Sequence, residues 1–257
     1  MSSMLLKTVA LILMTLDHIG EFIPGAPIWL RWIGRLSAPL FLFCTVNGFR
    51  HTRDRKRYLL RLYLFGVATA GLGVLFTYTA VNPVHPLTND IFPTLLLTCV
   101  IIALLEQMDR DPKRGRRNLL LFLLLQILTT VVCAEIELWN SRFTVLAAAL
   151  LGNLIFSEGG VFLAVLGVIL ERRTSDAKSA AAVHLIFSTV WLLISLIQSA
   201  RNPRALLTDN YQWMMIFAAP LILAYNGQRG KGSKYFFYLY YPLHLVILYF
   251  TGIYVSF

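Results

Sequence analysis

Asp17 and His18 sit side by side within the apolar stretch MLLKTVALILMTLDHIGEFI, and Arg31 and Arg35 follow within IWLRWIGRLSAPLFLFCTVNGF. An ionisable side chain at membrane depth costs about 2.5–3.5 kcal/mol even on the mildest scales, so such groups pair with one another and mark functional positions. A carboxylate, an imidazole and two guanidiniums on neighbouring apolar segments can accept a proton, pass it on, or stabilise negative charge as it develops. That is the chemistry of a reaction site inside a bilayer. Asp17 cannot easily bond the ring of its own neighbour, so its expected partner is Arg31 or Arg35. Each residue also has a purely structural use: a histidine that hydrogen-bonds an adjacent helix, an arginine that closes an ion pair. Two further ionisable groups fall near mid-membrane. His244 follows Pro242, where a kink is expected, in KYFFYLYYPLHLVIL, and Glu158 lies in SEGG. Groups from three or four helices are thus expected to converge on one cavity.

The elements that must position them are apolar helices. The chain has 257 residues, 57% of them hydrophobic and 14% charged, with a mean hydropathy of +0.66. Soluble domains are nearer 45–50% apolar. Continuous apolar runs of about 20 residues suit transmembrane helices and not the alternating segments of about ten found in barrels. The expected spans are 4–23, 28–49, 58–79, 91–108, 118–136, 143–170, 179–199, 211–226 and 235–255. This describes an all-α polytopic bundle of about nine crossings in a single integral-membrane domain over 1–257. The stretch 143–170 is too long for one straight crossing and too short for two, and Asn153, Ser157, Glu158, Gly159 and Gly160 interrupt it. It reads as a broken helix, which is tolerated only where protein or a polar cavity surrounds the break. Lysines and arginines cluster at Arg50–Arg61, Arg110–Arg117, Arg172–Lys178 and Arg229–Lys234. The positive-inside rule then puts the N-terminus inside and the C-terminus outside.

The same loops account for the net charge of +10, so nucleic acid is not an expected partner; the lipid bilayer is. The first apolar stretch has no small-residue cleavage site after it and reads as a retained helix. Cys44, Cys99 and Cys133 fall in apolar stretches and read as small hydrophobes. No CxxC or HExxH spacing occurs, so no metal is expected. His51, His85 and His184 carry no expected role beyond structure, although His85 lies in an outer proline-rich loop, VNPVHPLTND, that an acceptor could touch. No internal repeat is visible, which weighs against a transporter built of two equal halves.

The segments LKTVALILMTLDHIG, RWIGRLSAPLFLFCTVNGFRHT and RYLLRLYLFG, with the late YNGQRG and KYFFYLYYPLHLVIL, resemble the TraX family of bacterial membrane proteins. That family is linked to N-terminal acetylation of conjugative pilin. It is distantly similar to the acyltransferase type 3 and heparan-glucosaminide acetyltransferase membrane enzymes. In the type 3 group a basic residue precedes a catalytic histidine by eleven positions, and Lys7 and His18 have that spacing, with Lys in place of the commoner Arg. A second pattern, an Arg followed by an apolar run ending in small-Gly-Phe, is matched by Arg35 through Asn47, Gly48 and Phe49. At about 1.5 Å per residue, Lys7 and His18 share a face but stand some 16 Å apart, too far to bond.

The resemblance implies a membrane acyltransferase of the bacterial inner membrane, with acetyl-CoA as donor. The acceptor would be an amine or hydroxyl on a membrane or exported molecule: a pilin N-terminus, a glycan or a lipid. His18 would be the base or the acyl carrier, with Asp17 and Arg35 completing the catalytic set. Lys7, Arg53, Arg55, Lys56, Arg57 and Arg61 would attract the CoA phosphates. Arg31, Asn47, Glu158 and His244 would contact substrate or support the site. Asn47 and Gly48 could admit either the CoA arm or a neighbouring helix. The alternatives are a non-catalytic component of a secretion or conjugation machine and a small-molecule transporter.

Overall fold

The computed structural model describes residues 1–79, 90–232 and 234–255, and no strand occurs among them. His85 lies outside the described residues. In chain order the helices are α1 Ser3–Phe22, α2 Trp29–Gly34, α3 Ser37–Arg50, α4 Arg55–Thr79, α5 Phe92–Arg110, α6 Pro112–Asn140, α7 Thr144–Leu151, α8 Gly160–Arg173, α9 Ala177–Gln198, α10 Ala205–Thr208, α11 Ala219–Leu223 and α12 Lys234–Val255, with 3-10 turns at Ser141–Phe143 and Tyr211–Ala218. Among the described residues, six helical stretches have the length and composition to cross a membrane. The other three expected crossings are each divided into shorter pieces. The chain is an all-helical, multi-pass membrane protein.

Helix starts follow local chemistry. Ser2 accepts a bond from the Leu5 amide at the head of α1, and Asp111 caps α6 with Pro112 as its first residue. Asp176 and Ser179 close a reciprocal capping box on α9. Such side chains satisfy amides that have no partner within the helix. The 28–49 segment, expected as one span, breaks between α2 and α3 at Arg35 and Leu36. Pro39 explains the break. It has no amide to give to the carbonyl four residues back, which is that of Arg35, and its ring would clash there.

The contacts divide the chain into two compact units, Met1–Cys44 with Arg172–Phe257, and Thr45–Glu171. In the first unit α1 packs on α2 and α12, and the 3-10 turn Tyr211–Ala218 packs on α2 and α9. In the second, α5 packs on α4 and α6, and α7 on α4 and α6.

The second unit holds the broken helix expected at 143–170. Gly152 ends α7 in the left-handed region at φ 65°, a conformation that glycine adopts without strain. The residues between α7 and α8 are then held by side chains. The Asn153 amide donates to Thr129 Oγ1 (3.0 Å) and Thr130 Oγ1 (2.8 Å), and its oxygen accepts from the Phe156 amide (3.0 Å). Gln126 donates to the Gly152 carbonyl (2.7 Å) and accepts from the Leu154 amide (2.9 Å). Thr94 donates to the Glu158 carbonyl (2.6 Å). The unwound backbone is thereby satisfied from α5 and α6, as a break at membrane depth requires.

Candidate functional site

The ionisable residues of α1 and α2 meet in the first unit. Asp17 and His18 are almost wholly buried, 7% and 2% exposed, and so is His244 of α12, at 5%. The turn from α1 into α2 brings two guanidiniums onto the Asp17 side of α1. Arg35 Nη2 donates to Asp17 Oδ2. Arg31 Nη1 lies 3.4 Å from Asp17 Oδ1 and donates to the Asp17 carbonyl (3.1 Å) and to Glu21 Oε2 (2.7 Å). Two carboxylates and two guanidiniums thus neutralise one another.

This close approach depends on glycines in the two short motifs. A Cβ on Gly34 would stand 2.2 Å from the Asp17 Cβ, and one on Gly20 would stand 3.1 Å from the Arg31 side chain. The glycines of DHIG and IGR let α1 and α2 meet near enough for the ion pairs to form. The 3-10 turn completes the enclosure. Tyr211 accepts a bond from Arg31 Nε (3.3 Å), and the Arg35 guanidinium lies 5.6 Å from the Tyr211 ring centre. Gln212 Oε1 accepts from Arg35 Nη1 (3.3 Å), and the Arg31 carbonyl accepts from Arg35 Nε (3.4 Å). Each terminal nitrogen of Arg35 carries two N–H bonds and uses one among the described residues.

On the other side of the Asp17–His18 pair is α12, which remains helical through Pro242. His18 Nδ1 and His244 Nε2 are 2.7 Å apart, and the rings stack with centres at 5.0 Å. His244 Nδ1 lies 3.0 Å from the Tyr240 carbonyl. The Tyr240 ring stacks on His244 with centres 5.2 Å apart, and its hydroxyl is 3.0 Å from Thr15 Oγ1. Tyr241 meets the His18 ring edge-on.

Of the residues singled out by sequence, Asp17, His18, Arg31, Arg35 and His244 are brought together. Lys7 is on the same continuous helix as His18, three turns towards its start. Asn47, Arg53, Arg55, Lys56, Arg57, Arg61 and Glu158 belong to the second unit. There Arg55 pairs with Glu106 and lies over the Phe49 ring, and Arg57 pairs with Asp54. Arg61 lies over the Tyr58 ring, while Arg53 and Lys56 are exposed. The Tyr58 hydroxyl would meet a Cβ on Gly48 at 3.3 Å, so at the Asn47-Gly48 pair it is a neighbouring helix that makes the close approach. The Glu158 side chain is exposed, and its backbone carbonyl serves the helix break. Glu21, Tyr211, Gln212, Tyr240 and the two glycines were not anticipated. Only Glu21 had a visible signal, being one helical turn from Asp17 on the same face.

The ligand atoms of Asp17, His18 and Glu21 lie within 4.8 Å of one another, close enough to share an ion. Both carboxylates are already held by guanidiniums, which a cation would have to displace. The donor set therefore fits proton transfer better than metal binding.

No solved structure matches the chain. A protein of Dichelobacter nodosus described as "Probable fimbrial assembly protein FimC, serogroup H1" is 25% identical over 260 residues, covering 96% of this chain and 94% of its own length. The family model described as TraX protein matches residues 2–251, nearly the whole chain and every member of the buried cluster. The chain belongs to the TraX family.

Proposed function

We propose that this protein is an acyltransferase of the bacterial inner membrane. It moves acetyl from cytoplasmic acetyl-CoA to an amine or hydroxyl of a membrane-proximal or exported acceptor, with a pilus subunit as the acceptor class that the relative's name favours. The observation that carries the reading is the His18–His244 contact beside a carboxylate already neutralised by two guanidiniums. A structural role for His18 needs neither a second buried imidazole nor two cations.

In the proposed reaction the acceptor gives its N–H or O–H proton to His18, and the acceptor atom attacks the thioester carbonyl carbon. The remaining N–H groups of Arg35 receive the charge that develops on the carbonyl oxygen. The C–S bond breaks, and the CoA thiolate takes the proton back from His18. Lys7, on the helix that carries His18, supplies positive charge for the CoA phosphates.

The test is mass spectrometry of membrane and exported fractions from cells with the wild-type protein, with His18→Ala, or with neither. Acetylated species should appear with the wild type alone. A second reading, a non-catalytic part of an assembly machine, is favoured by the relative's description. It predicts that His18→Ala supports pilus assembly as well as the wild type does and that no acetylated species depends on the protein.

A further inference from the structure

The hydrogen bonds around the two buried histidines have a direction. A carbonyl oxygen can only accept, so the 3.0 Å contact to Tyr240 puts a proton on His244 Nδ1. In a neutral ring the other nitrogen, Nε2, is then the acceptor. Its 2.7 Å partner, His18 Nδ1, must be the donor. His18 is therefore left with its lone pair on Nε2, which makes no hydrogen bond among the described residues. The hydroxyl bonds on the same face also have a direction. Thr15 Oγ1 donates to the Leu11 carbonyl (2.9 Å), so the Tyr240 hydroxyl donates to Thr15. That bond ties the ring stacked on His244 to α1.

We infer that His244 is the positioning residue for His18, holding it in the form whose Nε2 is the base, and that the two rings work as a relay. This deepens the acyl-transfer reading and rests on it for the chemistry. When an acceptor proton reaches His18 Nε2, the Nδ1 proton passes to His244 Nε2. His18 ends neutral and protonated at Nε2, and His244 ends as the cation with both nitrogens protonated. No proton is gained or lost beyond the one taken from the acceptor, and it returns by the same route to the leaving thiolate.

Charge placement favours this end state. The charged and titratable groups around the pair are Asp17 and Glu21 of α1, held by Arg31 and Arg35, and Tyr240 and Tyr241 of α12. The carboxylates and guanidiniums already balance. A cation kept on His18 would sit near the Arg31 and Arg35 guanidiniums that hold its chain neighbour Asp17, and like charges repel. On His244 it lies against the Tyr240 ring, whose face attracts positive charge, and it keeps its bond to the Tyr240 carbonyl.

The experiment is nitrogen NMR of the full-length protein, labelled with 15N in its five histidines and held in lipid nanodiscs without acetyl-CoA. The His18 and His244 signals are assigned by their loss in His18→Gln and His244→Gln. The expected spectrum has both rings protonated at Nδ1 and bare at Nε2, although histidine in water prefers the opposite form. Gln at 244 can still accept a bond but cannot take a proton, so H244Q should keep the His18 form while acetyl-CoA turnover falls on the order of 100-fold. H244F removes the acceptor and should shift His18 towards Nε2–H. A wild-type His18 protonated at Nε2, or a His18 form unchanged in H244F, overturns the inference. If H244F does not fold, the wild-type spectrum decides alone. A spectrum as expected with no acetyl-CoA turnover upholds the positioning role and removes the acyl-transfer reading. Turnover with His18 protonated at Nε2 does the reverse.

Discussion

Both units bury polar groups among apolar helices, and they do so to different ends. Around the break between α7 and α8, Asn153, Gln126, Thr129 and Thr130 are neutral, and their bonds go to one another or to backbone left open by the break. Around Asp17 and His18 the groups are charged or titratable, and no helix break needs His18 or His244. Hydrogen-bonding capacity is also left over there, on His18 Nε2 and on the terminal nitrogens of Arg35. The polar groups at the break serve the backbone that they hold; those around His18 serve one another and include groups that can move a proton.

The largest expected effect comes from opening the charged network. Asp17→Ala leaves the Arg35 guanidinium without a carboxylate and Arg31 with Glu21 alone, and removing one partner of a buried pair costs about 3–5 kcal/mol. Unfolding in detergent, followed by loss of helical signal, should show this loss together with loss of turnover. Wild-type stability in D17A would mean that the ion pairs do not hold α2 in place. Next in size is Asn153→Ala, which orphans buried donors and acceptors at about 1–3 kcal/mol each. It should lower the melting temperature while turnover per folded molecule stays at the wild-type level, and a selective loss of turnover would erase the contrast between the two units. Gly34→Ala forces α2 away from Asp17, a crowding effect of about 1–3 kcal/mol. Its melting temperature should fall, and Gly71→Ala serves as control, since a Cβ there meets nothing within 4 Å.

The smallest effect lies outside both networks. The Ser179 amide and hydroxyl at the head of α9 hold the Asp176 carboxyl below its ordinary range. A lowered folded-state value means the cap is fully stabilising above the unfolded pKa, about 3.9, and fades as pH falls through the folded one. Protection against hydrogen exchange in the first turn of α9, taken relative to the intrinsic rate at each pH, should fall over that acid range, and Asp176→Asn should remove that fall. Protection that does not vary with pH in the wild type would show that the carboxylate does not cap this helix.

Much of this was legible before the fold. Apolar runs gave the long helices α1, α4, α5, α6, α9 and α12 to within a few residues at most ends. The polar interruption at 153–160 announced a break, because backbone cannot unwind in an apolar stretch without side chains to meet it. Asp17, His18, Arg31 and Arg35 were found because buried charge is too costly to be incidental. What escaped was what depends on a partner helix being in place. Gly34 looks like any small residue until Asp17 stands against it, and Tyr211 and Gln212 lie in a 3-10 turn with no amphipathic pattern. The division of 28–49 at Arg35 was readable from Pro39, since a proline at that place denies Arg35 its helical hydrogen bond. Glu158 lies in the second unit, where its backbone carbonyl accepts from Thr94.

The central claim is that His18 does chemistry on a thioester. The most direct measurement is release of CoA thiol from acetyl-CoA by purified protein in nanodiscs, per folded molecule, for the wild type and for His18→Ala. The account predicts measurable release by the wild type and a fall of at least about 100-fold in H18A, with the melting temperature of H18A still that of a folded protein. Equal release by the two proteins, or none by the wild type, would contradict it.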